Sequence, residues 1–274
     1  MAVIKALMEK PTMRELGYLA GIRTLFDSVV TSTALYSAGT WIGVTKEEMK
    51  SYDREMKNLW YTLLKLNSRT TWLQVCWECD LIPWSWGIIR AKIALINFLH
   101  FGKVSQSGLL AVSESTHKWK VGLVAEARKW AEKLGIQDPA NCPVSNETLG
   151  EAVRDAARSE MWESVISSKY INIQVRTERG VPNYFYNTNL TNHEQKIWLA
   201  YRLGILEFRK RFSRKYPETN CIYGCEDDDT LDHSIECEEN PIKLSGDGNG
   251  EMLEYLRELH SERLKVVGIG VYWL

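Results

Sequence analysis

Three of the chain's six cysteines and one of its five histidines fall within 17 residues, which is the strongest constraint that the sequence places on folding. The array is Cys221-x3-Cys225-x7-His233-x3-Cys237. Thiolate and imidazole are ligands that Zn²⁺ prefers, and four of them complete a tetrahedral site with no position left for water. Gly224, directly before Cys225, gives the backbone the freedom that a tight turn between two ligands needs. The spacing therefore predicts one structural zinc ion, held by Cys221, Cys225, His233 and Cys237.

Two other interpretations of this cluster are weaker. Four unrelated residues on a polar loop would not be expected to fall at ligand spacing. A secreted disulfide loop does not need the histidine, and residues 1–5 lack the apolar region of a cleavable signal peptide. We therefore expect reduced thiols in an intracellular protein, in the nucleus rather than the cytoplasm.

The composition limits the classes of function that the chain can have. With 274 residues, 45% of them hydrophobic, the chain can bury a sizeable core and divides into two or three lobes. The formal net charge is −1, so attraction to nucleic acid has to come from a local patch. The longest uncharged stretch, 28–45, is rich in Ser, Thr and Gly, and we expect no membrane span. Eleven tryptophans are expected to fill the space between helices rather than to stack on bases.

Apolar residues recur mostly at three- and four-residue spacing, which is typical of helices. Thr45 with Glu48, and Thr148 with Glu151, have the spacing of capping boxes that begin helices. Strand-like patterns occur at 171–175 and 184–186, which form either a hairpin or an extended connection, and in 266–274, and 103–117 is predicted to be a loop. We expect helices at about residues 13–38, 45–64, 72–79, 83–99, 119–134, 148–167, 191–216 and 252–264. The predicted fold is mainly α: a multi-helix bundle followed by a small zinc lobe, with minor β structure near 170–190 and at the C-terminus.

A basic helix precedes the cysteine array. Thr191 and Glu194 form a third capping box, and the helix is expected to run to Tyr216, where Pro217 stops it. Its second half holds one acid and six cations: Arg202, Arg209, Lys210, Arg211, Arg214 and Lys215. These cations are the strongest candidates in the chain for contacts with nucleic-acid phosphates. The alternative is a solvated face that complements the helix dipole.

The cysteine array itself is acidic. From residue 226 to residue 239 it holds eight Asp and Glu residues and no Lys or Arg. Carboxylates beside phosphates would repel them, so we expect the zinc loop to anchor the fold while the neighbouring helix contacts the polyanion. A second hypothesis is that the acidic loop pairs with the basic helix and suppresses binding until a partner displaces it.

Several segments resemble a known family. Leu35–Trp41 resembles the Leu-Tyr-Gly-x-x-x-Trp block that ends the thumb of reverse transcriptases of non-LTR (LINE-type) retrotransposons, with Ser37 in place of Gly. Residues 70–92 are similar to the post-polymerase region of those proteins. Residues 199–204, the basic helix and the cysteine array resemble their C-terminal CCHC zinc knuckle, although His233-x3-Cys237 is shorter than the commoner x4 spacing.

The resemblance implies three regions: thumb-like and post-polymerase helices at 1–105, a helical linker region at 106–190, and a basic helix, zinc knuckle and C-terminal helix at 191–274. It also implies a grip on RNA or DNA. A two-metal polymerase needs a carboxylate pair on a rigid hairpin, and the only run of Asp residues, Asp227–Asp229, lies inside the zinc loop. We therefore expect no enzymatic activity.

The leading hypothesis is a non-catalytic, zinc-containing module that binds nucleic acid, as a remnant or repurposed tail of such a reverse transcriptase. One alternative is a protein–protein interaction scaffold that has lost nucleic-acid binding. The other is a fragment of a longer RNA-directed DNA polymerase whose palm lies upstream. Cys76-x2-Cys79 has the spacing of a redox motif, but its helical context predicts two buried thiols instead.

Overall fold

The computed structural model describes residues 17–66, 70–102, 122–167, 180–206, 208–209, 218–246 and 249–267. About 65% of these residues are helical, and none of them forms a β-strand. An isolated antiparallel bridge joins Asn220 and Asp228. The prediction of a mainly α fold is confirmed.

Ten α-helices are found in the described residues. A π-helical turn, Phe26–Thr31, joins the first two, and 3-10 turns cover Ala38–Thr40 and Asn183–Phe185. The helices are α1 Tyr18–Leu25, α2 Ser32–Ala34, α3 Lys46–Leu64, α4 Trp72–Glu78, α5 Trp84–Phe101, α6 Leu123–Lys133, α7 Asn146–Ile166, α8 Asn192–Arg202, α9 Leu231–Glu236 and α10 Asn249–Val267.

Two of the three predicted capping boxes are present. The Glu48 N–H donates to Thr45 Oγ1 at 3.2 Å, and the Thr45 N–H donates to Glu48 Oε2 at 2.8 Å. Thr191 and Glu194 exchange the same pair of bonds at the start of α8. The box predicted at Thr148 and Glu151 is wrong, because α7 begins at Asn146, two residues before Thr148. There Ser145 is the N-cap, and its Oγ accepts the Thr148 N–H at 3.0 Å.

The strand predicted at 184–186 is also wrong. These residues belong to the 3-10 turn that follows Pro182, in which the Phe185 N–H donates to the Pro182 carbonyl at 3.0 Å and the Phe185 ring is fully buried. Val266 lies in α10 rather than in a strand. Residues 171–175 and 268–274, the other predicted strands, lie outside the described residues, as does the loop predicted at 103–117.

The basic helix is much shorter than predicted. α8 ends at Arg202, not at Tyr216, because Gly204 takes a left-handed backbone conformation with φ +58°. The Gly204 N–H donates to the Tyr201 carbonyl and the Ile205 N–H donates to the Ala200 carbonyl, each at 2.8 Å. This pair of bonds is the Schellman motif, which satisfies the last carbonyls of a helix and turns the chain away from its axis.

The described chain divides into two compact units. The helical unit consists of residues 23–62, 71–102 and 122–167, and the metal unit consists of residues 17–22, 63–66, 70 and the described residues from 180 onward. The three regions predicted at 1–105, 106–190 and 191–274 stay a prediction.

The helical unit is built around α5. Ile88, Ile93 and Ile96 of this helix are fully buried, and they pack with Leu123 of α6 and Val153 of α7 in one apolar core. Two tryptophans of this unit, Trp60 and Trp84, are buried against Phe26, as expected for tryptophans that fill space between helices. No described helix combines the length and the apolar character that crossing a bilayer requires.

The core of the metal unit lies between α8 and α10. Ile197 and Trp198 of α8 pack with Leu256 and Leu259 of α10, and Phe208 joins the same cluster. Gln195 of α8 is buried as well, and its side-chain oxygen accepts the Leu19 N–H at 2.9 Å. This core supports the cysteine array, which lies between residue 218 and α10 in the sequence.

Candidate metal centre

The first two predicted ligands, Cys221 and Cys225, lie on a tight turn. The Gly224 N–H donates to the Cys221 carbonyl at 3.2 Å, and Gly224 has φ +94°, a conformation that residues with a side chain rarely adopt. The Tyr223 N–H points at Cys221 Sγ, 3.4 Å away. An N–H donated to sulfur stabilises a thiolate, so this turn both brings Cys225 back towards Cys221 and prepares the first sulfur for a cation.

The other two ligands lie at the ends of one helical turn. Thr230 caps α9, and its Oγ1 accepts the His233 N–H at 3.0 Å. The Cys237 N–H donates to the His233 carbonyl at 2.7 Å. Residues four apart in a helix share a face, so the short helix directs His233 and Cys237 to the same side.

The four predicted ligands come together. Their donor atoms all lie within 4.8 Å of one another. The Sγ atom of Cys237 lies 3.8 Å from that of Cys221 and 3.7 Å from that of Cys225. Tetrahedral zinc with bonds of about 2.3 Å to sulfur requires sulfur atoms about 3.8 Å apart. Cys225 Sγ and His233 Nε2 are 2.9 Å apart, closer than the roughly 3.5 Å of a zinc site, so a bound ion would separate them.

A carboxylate lies behind the histidine ligand. His233 Nε2 faces the thiols, while Nδ1 lies 3.6 Å from an oxygen of Asp227. Histidines that bind metals commonly direct their second nitrogen at a carboxylate, which fixes the tautomer and the ring orientation. No local pattern in the sequence distinguishes Asp227 from the seven other acids of the array.

Burial dominates the electrostatics of the Cys221 thiol. It raises the pKa of the Cys221 thiol to about 12, the Tyr223 N–H opposes this, and the neighbouring Cys225 and Cys237 add to it. Cys221 and Cys237 are buried, whereas Cys225 and His233 are half-buried. A cation inverts this balance because it stabilises thiolates, so metal binding would release protons from the cluster.

Two buried polar contacts attach the array to α10. Ser234 Oγ of α9 and Tyr255 Oη of α10 are 2.9 Å apart, and the Asn240 side-chain amide supports this contact by donating to the Ser234 carbonyl at 2.6 Å. The Asp229 carboxylate forms a two-bond ion pair with the Arg263 guanidinium, with distances of 2.7 and 2.8 Å. Sequence reasoning missed these residues, because a long-range pair leaves no mark in local spacing.

The candidate phosphate contacts do not lie on one helix. Arg202 ends α8, and Arg209 lies beyond the Schellman turn. Lys210, Arg211, Arg214 and Lys215 lie outside the described residues. Asp229 contacts Arg209 through the backbone, since the Arg209 N–H donates to Asp229 Oδ2 at 2.8 Å, while the charge of Asp229 is paired with Arg263.

The other cysteines of the described chain do not join a metal cluster. Cys76 and Cys79 are fully buried, as predicted, and burial raises the pKa of the Cys76 thiol well above its usual value. Among the residues that the structure describes, Cys221, Cys225, His233 and Cys237 are the one group arranged to hold a metal ion, and their donor set is compatible with zinc. Comparisons of the chain with models of known families, with curated proteins and with solved structures return no match.

Proposed function

We propose that the metal unit is a non-catalytic, zinc-dependent module that binds the backbone of RNA or DNA, as a remnant or repurposed tail of a LINE-type reverse transcriptase. The observation that carries the proposal is the Cys3His cluster, whose four donor atoms lie within 4.8 Å of one another. A complete set of four ligands leaves no position for water or substrate, which favours a structural role for the ion. When bound, zinc would supply a cross-link between the 221–225 turn and α9.

Nucleic-acid binding is assigned to the cations around Arg209. Six of them lie between residues 202 and 215, which is the densest positive charge in the sequence. The buried acid beside this stretch is neutralised, because Asp229 is paired with Arg263. Phosphates approaching Arg209 would therefore not meet the uncompensated charge of that carboxylate. Contacts of this kind recognise the backbone and carry little sequence information.

The backbone at residue 37 supports the kinship. Ser37 occupies the position at which the resembled thumb block has Gly, and it takes φ +54°. Glycine adopts this left-handed conformation at little cost, so the backbone of residue 37 is of the kind that the glycine of the resembled block would favour.

A salt titration of oligonucleotide binding tests the proposed function. Binding that depends on phosphate contacts weakens steeply with salt, with a slope of about 0.9 per contact on logarithmic scales. We expect the triple variant Arg209→Ala, Lys210→Ala and Arg211→Ala to lower that slope by about 3. The matched control removes three exposed cations of the helical unit, Lys46, Lys50 and Arg54, and should leave the slope unchanged.

The competing proposal is a protein-interaction scaffold. The exposed acids of the array, which has no Lys or Arg between residues 226 and 239, favour this alternative. If the wild-type chain and the triple variant both fail to bind RNA and DNA at low salt, nucleic-acid binding is rejected and the scaffold is the better proposal.

A further inference from the structure

The three hydrogen bonds to the Asp229 carboxylate meet in a buried position of the metal unit. Its Oδ1 accepts from Arg263 Nη1 at 2.7 Å, and its Oδ2 accepts from Arg263 Nη2 and from the Arg209 N–H, each at 2.8 Å. Asp229 is 2% exposed and Arg263 is 1% exposed. Bonds to a charged group in a buried site are stronger than neutral ones, and breaking them leaves an uncompensated charge.

The Arg263 side chain also contacts an aromatic ring. Its guanidinium carbon lies 4.7 Å from the centre of the Phe208 ring, so the cation contacts that ring as well as Asp229. Phe208 precedes Arg209 directly. Residues 208 and 209 are therefore attached to α10 through the ring and to the array through the backbone N–H.

Backbone hydrogen bonds connect the segment around Asp229 to the 221–225 turn, which carries Cys221 and Cys225. The Cys221 N–H donates to the Asp227 carbonyl at 2.8 Å, and the Asp229 N–H donates to the Thr219 carbonyl at 2.7 Å. These bonds flank the antiparallel bridge between Asn220 and Asp228. A metal ion that fixes Cys221 must also restrain Asp227, whose carbonyl accepts the Cys221 N–H. Asp229 lies two residues after Asp227.

We propose that Asp229 is a positioning residue that transmits the restraint of the metal centre to Arg209 and to α10, an inference that rests on the proposed zinc-dependent function. The path runs from Cys221 across the bridge to Asp229, and from its carboxylate to Arg263 and to the Arg209 N–H. Binding of the metal ion then determines the position of Arg209, the first described cation after the Schellman turn.

Hydrogen exchange measured by NMR on the full-length, zinc-loaded chain tests this path. In Asp229→Asn, the Arg209 amide and the α10 amides around Arg263 should exchange about tenfold faster than in wild type, or more. Zinc content and the spectrum of the cobalt-substituted protein should stay as in wild type. Removing zinc from wild type with a chelator should accelerate exchange at the same amides.

The control is Glu239→Gln, which removes one exposed carboxylate from the same array. It should change none of these exchange rates. If Asp229→Asn keeps the wild-type rates at Arg209 and Arg263, or if chelation leaves those amides protected in wild type, the path through Asp229 does not exist.

A double variant decides the case in which Asp229→Asn fails to fold or to load zinc. Asp229→Leu with Arg263→Met replaces the ion pair by apolar side chains, a change that proteins often tolerate, and it removes the acceptor of the Arg209 N–H. It should load zinc and lose protection at the Arg209 amide, and a protected amide there would reject the inference. A wild-type chain that binds zinc but no oligonucleotide rejects the proposed function alone, because exchange is measured without nucleic acid.

Discussion

Different interactions stabilise the interior of the helical unit and the interior of the metal unit. The helical unit has an apolar core in which Ile88, Ile93 and Ile96 are fully buried. Of the nine buried polar side chains in the described residues, two, Glu78 and Lys92, belong to the helical unit and seven belong to the metal unit. Those seven are Thr70, Glu194, Gln195, Asp229, Ser234, Asn240 and Arg263.

This difference has an energetic meaning. Apolar contacts are non-directional and tolerate small shifts, whereas a buried polar group that loses its partner keeps the full cost of its desolvation. The stability of the metal unit therefore depends on the correct placement of a few polar groups. The Cys3His cluster is the group that would cross-link the segments that carry them. In the helical unit the corresponding buried charge is that of Lys92, which is paired with Glu126.

Metal removal should give the largest effect. Structural zinc sites contribute about 10–16 kcal/mol in apparent binding free energy at pH 7, which in such modules is folding free energy. We expect chelation, or Cys237→Ser, to abolish exchange protection in α8–α10 and to leave α5–α7 protected. Cys142→Ser is the matched control, since Cys142 is a free cysteine of the helical unit. Equal loss of protection in both units would contradict the comparison.

A cavity in the helical unit should give the converse result with a smaller effect. Ile93 is fully buried in the core around α5, so Ile93→Ala should lower the free energy of unfolding of this unit by about 2–5 kcal/mol. Denaturant unfolding monitored by exchange in α5–α7 measures this change. Zinc content should stay as in wild type, and a loss of zinc from Ile93→Ala would show that the units are not independent in stability.

A pH dependence should give the smallest effect and should come from the metal unit. Burial, helped by the neighbouring His193, lowers the pKa of His260 from 6.5 to about 4, and burial also lowers the pKa of His193. Between pH 6.5 and pH 4 the unfolded chain binds protons that the folded chain does not. Stability should therefore be full above pH 6.5 and should fall as the pH drops towards 4.

The measurement is an NMR titration of the His260 imidazole together with unfolding free energies over this pH range. His260→Gln should make the free energy of unfolding less dependent on pH than in wild type. The metal ligands contribute equally to both proteins, so the difference between them isolates His260. A His260 pKa near 6.5 would show that the ring is not desolvated.

Local signals explain which features the sequence could predict. The caps at Thr45 and Thr191 and the four metal ligands are set by spacing along the chain, and the structure has all of them in place. The mainly α fold follows from helical periodicity in the same way. The 3-10 turn at Asn183–Phe185 does not follow from local signals, because aromatic residues in a short run are equally compatible with a strand.

The remaining errors have two causes: alternative local signals compete for one helix end, and some contacts join residues that are far apart in the sequence. Ser145 and Thr148 both can cap α7, and the structure selects the earlier residue. The end of α8 was misplaced because the cations beyond Gly204 have good helix propensity, whereas the Schellman bonds depend on tertiary support for Ile205. The pairing of Asp229 with Arg263 joins residues 34 positions apart, and no local pattern selects one acid among eight.

The left-handed turn at Gly204 determines how far the chain can reach. A straight helix rises about 1.5 Å per residue, so a continuous α8 would carry residue 209 about 10 Å past Arg202 along the axis. Reversal at Gly204 instead returns the backbone within one hydrogen bond of Asp229. The residue that ends α8 thus limits the length of the connection to Arg209. A residue inserted between Gly204 and Phe208 would shift the Phe208 ring and the Arg209 N–H out of register with Arg263 and Asp229.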